Sequence, residues 1–478
     1  MAKQEGITVK KSENLDEWYT QVILKSEMAD YSAVSGCMVF RPLAYGIWEI
    51  LQKNIDAEFK KLGVENVYFP LLIPEKFLKK EAQHVEGFSP EVAWVTQTGD
   101  TKLDERLAIR PTSETIMYDS YSKWIRSWRD LPLRFNQWNN VLRWEFKHPV
   151  PFLRSREFLW NEGHTVFATE KEADTERDEI LGIYEMITED YLALPGMVGR
   201  KSEKEKFAGA VASYSIEHLL PDGKAIQGPD FHSDGQNFAK AFDITFLDKD
   251  GKRQHAWQNT WAITTRELGV MVAMHSDDRG LVLPPKVAPT QVVIVPIFDE
   301  KNKSAVLKVA KKLESELKDV RVMLDDRNYY TPGWKFNEWE LKGVPIRIEI
   351  GPKDIKAKQV VVVRRDTSKK RSVAISKVGS EVKKELEDMQ KSLFKKAGEF
   401  LSSNMYKVKT YQEFKSTLEK KKGIVQANWC MDSKCEDKVK EETGAKITNM
   451  PLKNNKVLGD CIYCGKRAKT VANFAKSY

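Results

Sequence analysis

The chain of 478 residues has no apolar run that approaches the roughly 18 residues a bilayer-crossing helix needs. Its first stretch, MAKQEGITVKKSENLDEW, lacks the apolar core of a secretory signal. These two absences predict a cytoplasmic protein with no membrane partner. Cysteine is scarce too: there are five, and four of them form two tight pairs near the C-terminus, Cys430-x4-Cys435 and Cys461-x2-Cys464. In a chain without a secretion signal that count argues against a disulfide framework. Four thiolates in two close pairs fit a closed tetrahedral zinc site with no position open for a substrate, and such an ion would anchor a small domain whose core is otherwise thin. Cys37 stands alone and reads as a core thiol. Nor is there a strong excess of one charge: 77 Lys and Arg against 69 Asp and Glu leave +8. That balance is compatible with a nucleic-acid partner without requiring one. What is present is length, 31% charged residues and 10% aromatics, the composition of a folded chain of two to four domains.

The chemistry is densest in Val141–His164, VLRWEFKHPVPFLRSREFLWNEGH. Val141–Phe146 reads as a strand, Lys147–Arg154 with its two prolines as a loop, and Arg156–Trp160 as the returning strand. This hairpin places Arg143, Glu145, Arg154 and Arg156 at the base of the loop. Guanidiniums on rigid strands suit a phosphate-bearing ligand, because Arg offers a planar fork of donors and keeps its charge. Arg143-Trp-Glu145, a loop, then Arg154-Ser-Arg156-Glu-Phe158 resembles motif 2 of the class II aminoacyl-tRNA synthetases. The continuation Leu159-Trp160-Asn161-Glu162-Gly163-His164 is similar to the prolyl-tRNA synthetases.

In chain order, Arg41–Leu62 carries a helical stripe of Ile47, Ile50, Leu51, Ile55, Phe59 and Leu62, closed by Gly63. A strand is expected over Val67–Ile73; Pro70 marks it as an edge or interface strand. The same helix and strand resemble class II motif 1, which implies a homodimer. A polar turn over Thr98–Asp104 precedes Arg110-Pro-Thr112-Ser-Glu114, where Thr112 or Ser113 could cap a helix; the resemblance also gives Thr112 and Glu114 to the amino acid. Glu170–Tyr191 reads as a scaffold helix, and the roughly one hundred residues before Trp257 leave no room for a large editing insertion. The resemblance is therefore to the archaeal/eukaryotic type. Gln227-Gly-Pro-Asp230-Phe-His232 departs from the family's usual Gly-Thr at Pro229-Asp230. Thr260-Trp-Ala-Ile-Thr264-Thr-Arg266 reads as a strand, a turn and the start of an apolar helix, and resembles motif 3.

After Pro284-Pro285, strands and helices alternate: QVVIVPIF, a helix over Ser304–Leu317, strands at Val320–Leu324 and Pro345–Ile350 around a helix at Trp334–Leu341, then a hairpin of Val360–Arg364 with Arg371–Ile375. A basic edge from Lys353 to Arg371 is either a solvated face or a hold on tRNA backbone. Glu381–Leu401 is a connecting helix.

The fold class expected is multidomain α/β. Residues 1–286 would form the antiparallel-sheet catalytic domain of class II synthetases, 287–385 an α/β anticodon-binding domain, and 386–478 a small zinc-binding α/β domain. The resemblance implies ligation of L-proline to tRNA(Pro) through a prolyl-adenylate, with ATP and Mg2+ as substrate. Arg143 and Arg266 would stabilise the transferring charge. Glu145, Arg154, Phe158, Gln227, Asp230 and Thr264 would join them in holding ATP. Thr112, Glu114, Trp160, Glu162, His164, His232 and Thr260, with Arg143, would bind proline. Glu340, Arg347 and Lys353 would meet the anticodon. The competing reading, a synthetase-like tRNA-binding protein that has lost the chemistry, is opposed by the presence of Arg143, Glu145 and Arg266.

Overall fold

The computed structural model describes residues 6–84, 91–453, 456–457 and 459–478. Helix α1 (Pro42–Lys61) forms on the stripe read from sequence: Ile47, Leu51, Ile55 and Phe59 are buried, and Gly63 ends the helix at φ +75°. The segment Val67–Ile73 is not one strand. Glu65–Asn66 runs parallel to Phe135–Asn136, whereas Leu72–Pro74 pairs with Leu107–Ile109. Pro70, with no N–H to donate, falls between the two ladders. The expected turn at Thr98–Asp104 is also mostly strand. Trp94–Thr98 and Thr101–Ile109 make a hairpin that turns at Gly99-Asp100. Its charged outer face hides the alternation of half-buried Leu103, Glu105 and Leu107.

The central sheet has six antiparallel strands: β1 (Leu133–Leu142), β2 (Glu157–Phe167), β3 (Met197–Arg200), β4 (Ala212–Leu219), β5 (Ala225–Gly235) and β6 (Trp257–Ala262), in the order β3-β4-β5-β6-β2-β1. β1 stops at Leu142 and β2 starts at Glu157, so Arg143 and Glu145 lie beyond one strand and Arg154 and Arg156 before the other. The β1 residues escaped the sequence reading because the strand buries polar side chains: Asn136 and Gln137 are fully buried, and an apolar pattern cannot reveal them. One face of the sheet packs on α1, α3 (Glu170–Met186) and α4 (Arg266–His275) around Trp48, Phe59, Tyr184 and Trp261. The other face carries α2 (Glu114–Trp124), whose Met117, Tyr118 and Tyr121 pack with Val166 and Phe238.

Next, β7 (Val292–Pro296), β8 (Val322–Leu324), β9 (Ile346–Ile350), β10 (Gln359–Arg364) and β11 (Lys370–Ala374) form a separate sheet in the order β8-β7-β9-β10-β11. β8, β7 and β9 are parallel, with α5 (Lys303–Glu316) and α6 (Pro332–Leu341) as crossovers. This is the α/β alternation read from sequence. Helix α7 (Val378–Ser403) leads to β12 (Met405–Lys407), β13 (Ile424–Trp429), α8 (Ser433–Thr443), β14 (Lys446–Pro451) and β15 (Thr470–Ala475). β14 pairs with β3, Met450 opposite Arg200 and Pro451 opposite Gly199, so the C-terminal sheet runs on into the central one. Among the described residues no helix is long and apolar enough to cross a membrane.

Candidate active site

Register across the central sheet lines up one polar row. His164 on β2 lies opposite Thr260 on β6, Thr260 opposite His232 on β5, and His232 opposite Ser213 on β4. Asp230 continues the same face of β5 and Glu162 the same face of β2, because alternate residues of a strand share a face. Helix α2 closes one side, bringing Thr112 and Glu114 over the row. Together they line a pocket of about 270 Å³ with Arg143, Trp160 and Gln227.

Two buried carboxylates dominate it: Glu114 is 4% exposed and Glu162 is 2% exposed. Glu162 accepts from the Ser113 backbone N–H at 2.9 Å, the Ser113 hydroxyl at 2.6 Å and the Asn139 amide at 2.7 Å. Its other neighbour is the His164 ring, 3.7 Å away. Burial alone would push this carboxyl up, but His164, Ser113 and Asn139 hold it below the usual carboxylate range. Ser113 occupies the N-cap position of α2 without capping it; its hydroxyl is committed to Glu162 instead. The Thr112 hydroxyl bonds both Glu114 and Glu162. Thr112 and Ser113 thus serve the pocket, which corrects the capping expectation. Burial lowers the His232 imidazole from its usual range, and its Nδ1 meets the Ser213 hydroxyl at 2.9 Å.

Arg143 is anchored by a 2.9 Å bond from Nε to the Pro111 carbonyl, and its guanidinium lies 5.1 Å from the Trp160 ring and 5.5 Å from the Phe158 ring. Phe158 stands edge-on to Trp160, ring centres 5.5 Å apart. Arg266 opens α4 and donates to the Gln227 carbonyl at 3.0 Å, while its backbone N–H is held by the Thr264 hydroxyl at 3.1 Å. The Gln227 amide in turn donates to Asp230 at 2.7 Å. Glu145 is exposed and does not line the pocket. Arg154 lies outside it as well, its guanidinium 5.1 Å from the ring of Tyr478. Arg156 is spent on structure: it donates to the Phe146 and Ser35 carbonyls. Cys37 is half-buried rather than a core thiol. The sequence reading missed Lys201, Glu205, Phe207 and Tyr214, all of which line the pocket. Phe207 stacks on His232 with ring centres 4.7 Å apart, and the only signal for it was one aromatic in a charged stretch.

Elsewhere, Glu340 and Arg347 share a second pocket with Arg279, Arg364, Arg365 and Lys370, whereas Lys353 is exposed in the short helix Pro352–Lys356 and lines no part of it. The ligand atoms of Cys430, Cys435, Cys461 and Cys464 all lie within 4.8 Å of one another. Cys430 Sγ is 3.6 Å from Cys435 Sγ and 3.7 Å from Cys464 Sγ. Zn–S bonds of about 2.3 Å in tetrahedral array require S···S edges of roughly 3.8 Å, so the four sulfurs fit a metal of that kind.

An antiparallel sheet with a polar row across one face, Arg143 at a strand–loop junction and Arg266 at a strand–helix junction is the arrangement of the class II aminoacyl-tRNA synthetases, and comparisons with known proteins assign the chain to that class. The family model "tRNA synthetase class II core domain (G, H, P, S and T)" matches residues 94–275, "Anticodon binding domain" matches 291–385, and "Prolyl-tRNA synthetase, C-terminal" matches 411–478. A proline–tRNA ligase of Alkaliphilus oremlandii is 51% identical over 97% of this chain and 96% of its own. Proline–tRNA ligase 2 of Bacillus cereus is 48% identical over the whole of both. The crystal structure of prolyl-tRNA synthetase from Cryptosporidium parvum, complexed with halofuginone and AMPPNP, superposes with a TM-score of 0.94 at 47% identity, covering 99% of this chain and 100% of that one. The chain belongs to the prolyl-tRNA synthetase family and charges tRNA with proline.

Proposed function

We propose that the pocket over the polar row holds L-proline, with its imino cation on Glu114 and its ring against Trp160. Glu162 and His164 form the floor, while Thr112, Thr260 and His232 complete the walls. The two buried carboxylates carry this reading, since a dry acidic site favours a small cation over a neutral competitor. Arg143 then faces the amino-acid carboxylate. One carboxylate oxygen attacks the α-phosphorus of ATP in line, the bond to pyrophosphate breaks, and prolyl-adenylate forms. Arg143 and Arg266 stabilise the charge that moves. The adenine lies on Phe158. Gln227, Asp230 and Thr264 hold the sugar side, and Glu145 and Arg154 meet the nucleotide outside the amino-acid pocket. Mg2+ accompanies the triphosphate and neutralises part of its charge. The terminal adenosine hydroxyl of tRNA(Pro) next attacks the prolyl carbonyl and releases AMP. No side chain is needed as a nucleophile.

The anticodon lies against Glu340 and Arg347, with Lys353 on the phosphate backbone. Zn2+ held by the four cysteines closes the C-terminal module, a role supported by the tetrahedral S···S spacing. The chain is a homodimer on the resemblance of its helix Pro42–Lys61 and the strand after it to class II motif 1, and Tyr45, Tyr68, Leu71 and Leu72 of this region are exposed. The protein works in the cytoplasm, in keeping with its reduced, metal-compatible thiols.

Amino-acid-dependent ATP–pyrophosphate exchange without tRNA tests the assignment. Exchange with proline well above the other amino acids is expected, together with a fall in kcat for Arg266→Ala. Equal exchange with alanine or cysteine would overturn the pocket reading.

A further inference from the structure

One wall of the pocket is the segment 201–209, which has no regular secondary structure. Its sequence, KSEKEKFAG, has a single large apolar residue, Phe207. A charged, irregular segment buries little apolar surface and is among the parts of a fold that open most readily. Yet Lys201, Glu205 and Phe207 all line the pocket, and Phe207 lies on His232. Something else has to hold this wall.

Part of the hold is local, since Lys201 pairs with Glu217 and the Phe207 backbone N–H donates to the Ser213 hydroxyl; the rest comes from the cysteine module. The Ser202 hydroxyl donates to Glu436 at 2.8 Å in a buried contact. Lys446 pairs with Glu205 at 2.6 Å, and Lys204 pairs with Asp437. Asn449 donates to the Met197 carbonyl at 2.6 Å, beside the seam where β14 meets β3. The seam is tight, since a Cβ on Gly199 would come within 2.6 Å of the Asn449 side chain and the Met450 carbonyl. Glu436 directly follows Cys435, so the cluster of four thiols fixes the start of α8 from which Glu436 and Asp437 reach the wall. Of the three polar contacts to residues 201–209 themselves, the Lys204–Asp437 pair is the most exposed and contributes least. The buried bond to Glu436 contributes most, because losing one partner leaves a buried polar group unpaired.

We propose that the cysteine module positions the amino-acid pocket, with Glu436 and Lys446 as positioning residues for proline binding. Neither touches the substrate. They raise the fraction of molecules whose 201–209 wall is in place, and apparent affinity scales with that fraction. Lys201, Glu205 and Phe207 reach into the pocket proposed for proline, so the effect is expected on proline rather than on ATP.

This inference rests on the pocket being the proline site, and the experiment separates the two. Full-length, metal-loaded enzyme is assayed by pyrophosphate exchange as Glu436→Ala, Glu436→Gln, Ser202→Ala and Glu114→Gln, with metal content and Tm measured on each. Glu436→Ala and Ser202→Ala should each raise KM for proline roughly tenfold, the cost of leaving one buried partner without its hydrogen bond. KM for ATP, kcat and metal content should stay within twofold of the parent. Glu436→Gln, whose amide oxygen still accepts from Ser202, should restore the proline KM. Ser202→Ala removes the same bond without touching α8, so it decides the question if Glu436→Ala loses metal or fails to fold. An unchanged proline KM in Ser202→Ala, or equal rises in the KM for proline and ATP, overturns the proposal. If Glu114→Gln also leaves the proline KM unchanged, the pocket assignment itself fails.

Discussion

The amino-acid pocket and the Glu340–Arg347 pocket solve opposite electrostatic problems. In the first, two carboxylates are buried and already bonded, Glu162 to Ser113 and Asn139 and Glu114 to the Thr112 hydroxyl, so their field is set before any ligand arrives. In the second, each cation already has an acid: Arg279 meets Glu340 at 2.7 Å, Arg347 meets Glu349 at 2.8 Å, and Arg365 meets Asp277 at 2.6 Å. Arg364 and Lys370 are paired as well, with Asp366 and Glu349. A small cation is selected by a dry, prearranged acidic site, because charges there are poorly screened. In the proposed encounter with a polyanion, Arg279 and Lys370, about half exposed, can change partners at small cost, whereas Arg347, Arg364 and Arg365 are largely buried in their pairs. On the proposed reading the first site holds the imino cation of the amino acid, and the second gives a salt-sensitive grip on tRNA.

The comparison breaks most sharply at Glu162. Glu162→Gln removes a buried charge that Ser113, Asn139 and His164 are arranged around, a loss of about 3–5 kcal/mol for one partner of a buried pair. Proline-dependent exchange should fall by roughly 10²- to 10³-fold, while tRNA binding stays as it was. A variant that keeps its proline KM and kcat would show that Glu162 is structural. The converse change is Arg347→Ala, which removes one largely buried cation. It should raise KM for tRNA by roughly 5- to 100-fold, the range for one lost contact to nucleic acid, and leave tRNA-independent exchange untouched. If exchange falls in step with charging, the two pockets are not independent and the contrast between them is wrong.

Legibility in the sequence follows the same division. The α/β region was readable because a parallel sheet buried on both faces spells itself out, as in Val292–Pro296. The substrate row was readable through rare combinations of Arg, Trp, Glu and His, and through a family resemblance, rather than through any hydrophobic pattern. What stayed hidden was polar burial. β1 carries buried Asn136 and Gln137 and gave no strand signal. The wall at 201–209 drew no reading at all, because its run of charged residues carries no apolar pattern, although Lys201 is 6% exposed and pairs with Glu217 at 2.5 Å. The continuity of the C-terminal sheet with the central one rests on a two-residue register, Met450 and Pro451 against Arg200 and Gly199, and no local pattern announces a contact so distant in sequence.

A third buried acid sharpens the comparison while having the smallest effect on activity. Glu176 sits beneath the same sheet, on the face away from the pocket, and accepts from Thr165 at 2.5 Å and Asn259 at 2.9 Å. Burial pushes its carboxyl up to about 7, and the bonds from Thr165 and Asn259 and the charge of Arg134 offset only part of that. This is the reverse of Glu162, where fixed donors win over burial. Because the folded-state value lies above the unfolded one, the folded state holds the proton more tightly. The stability linked to Glu176 is therefore complete below about pH 4.5 and is lost as pH rises through about 7. Glu176→Gln removes that dependence while its amide oxygen can still accept from Thr165 and Asn259. Relative to the parent, the variant should gain about 2 kcal/mol between pH 5 and pH 8, read by denaturant unfolding at both values, with proline-dependent exchange unchanged. A stability difference that stays flat across this range would mean that Glu176 is ionised throughout, held by Arg134, and that the two faces of the sheet treat a buried acid alike.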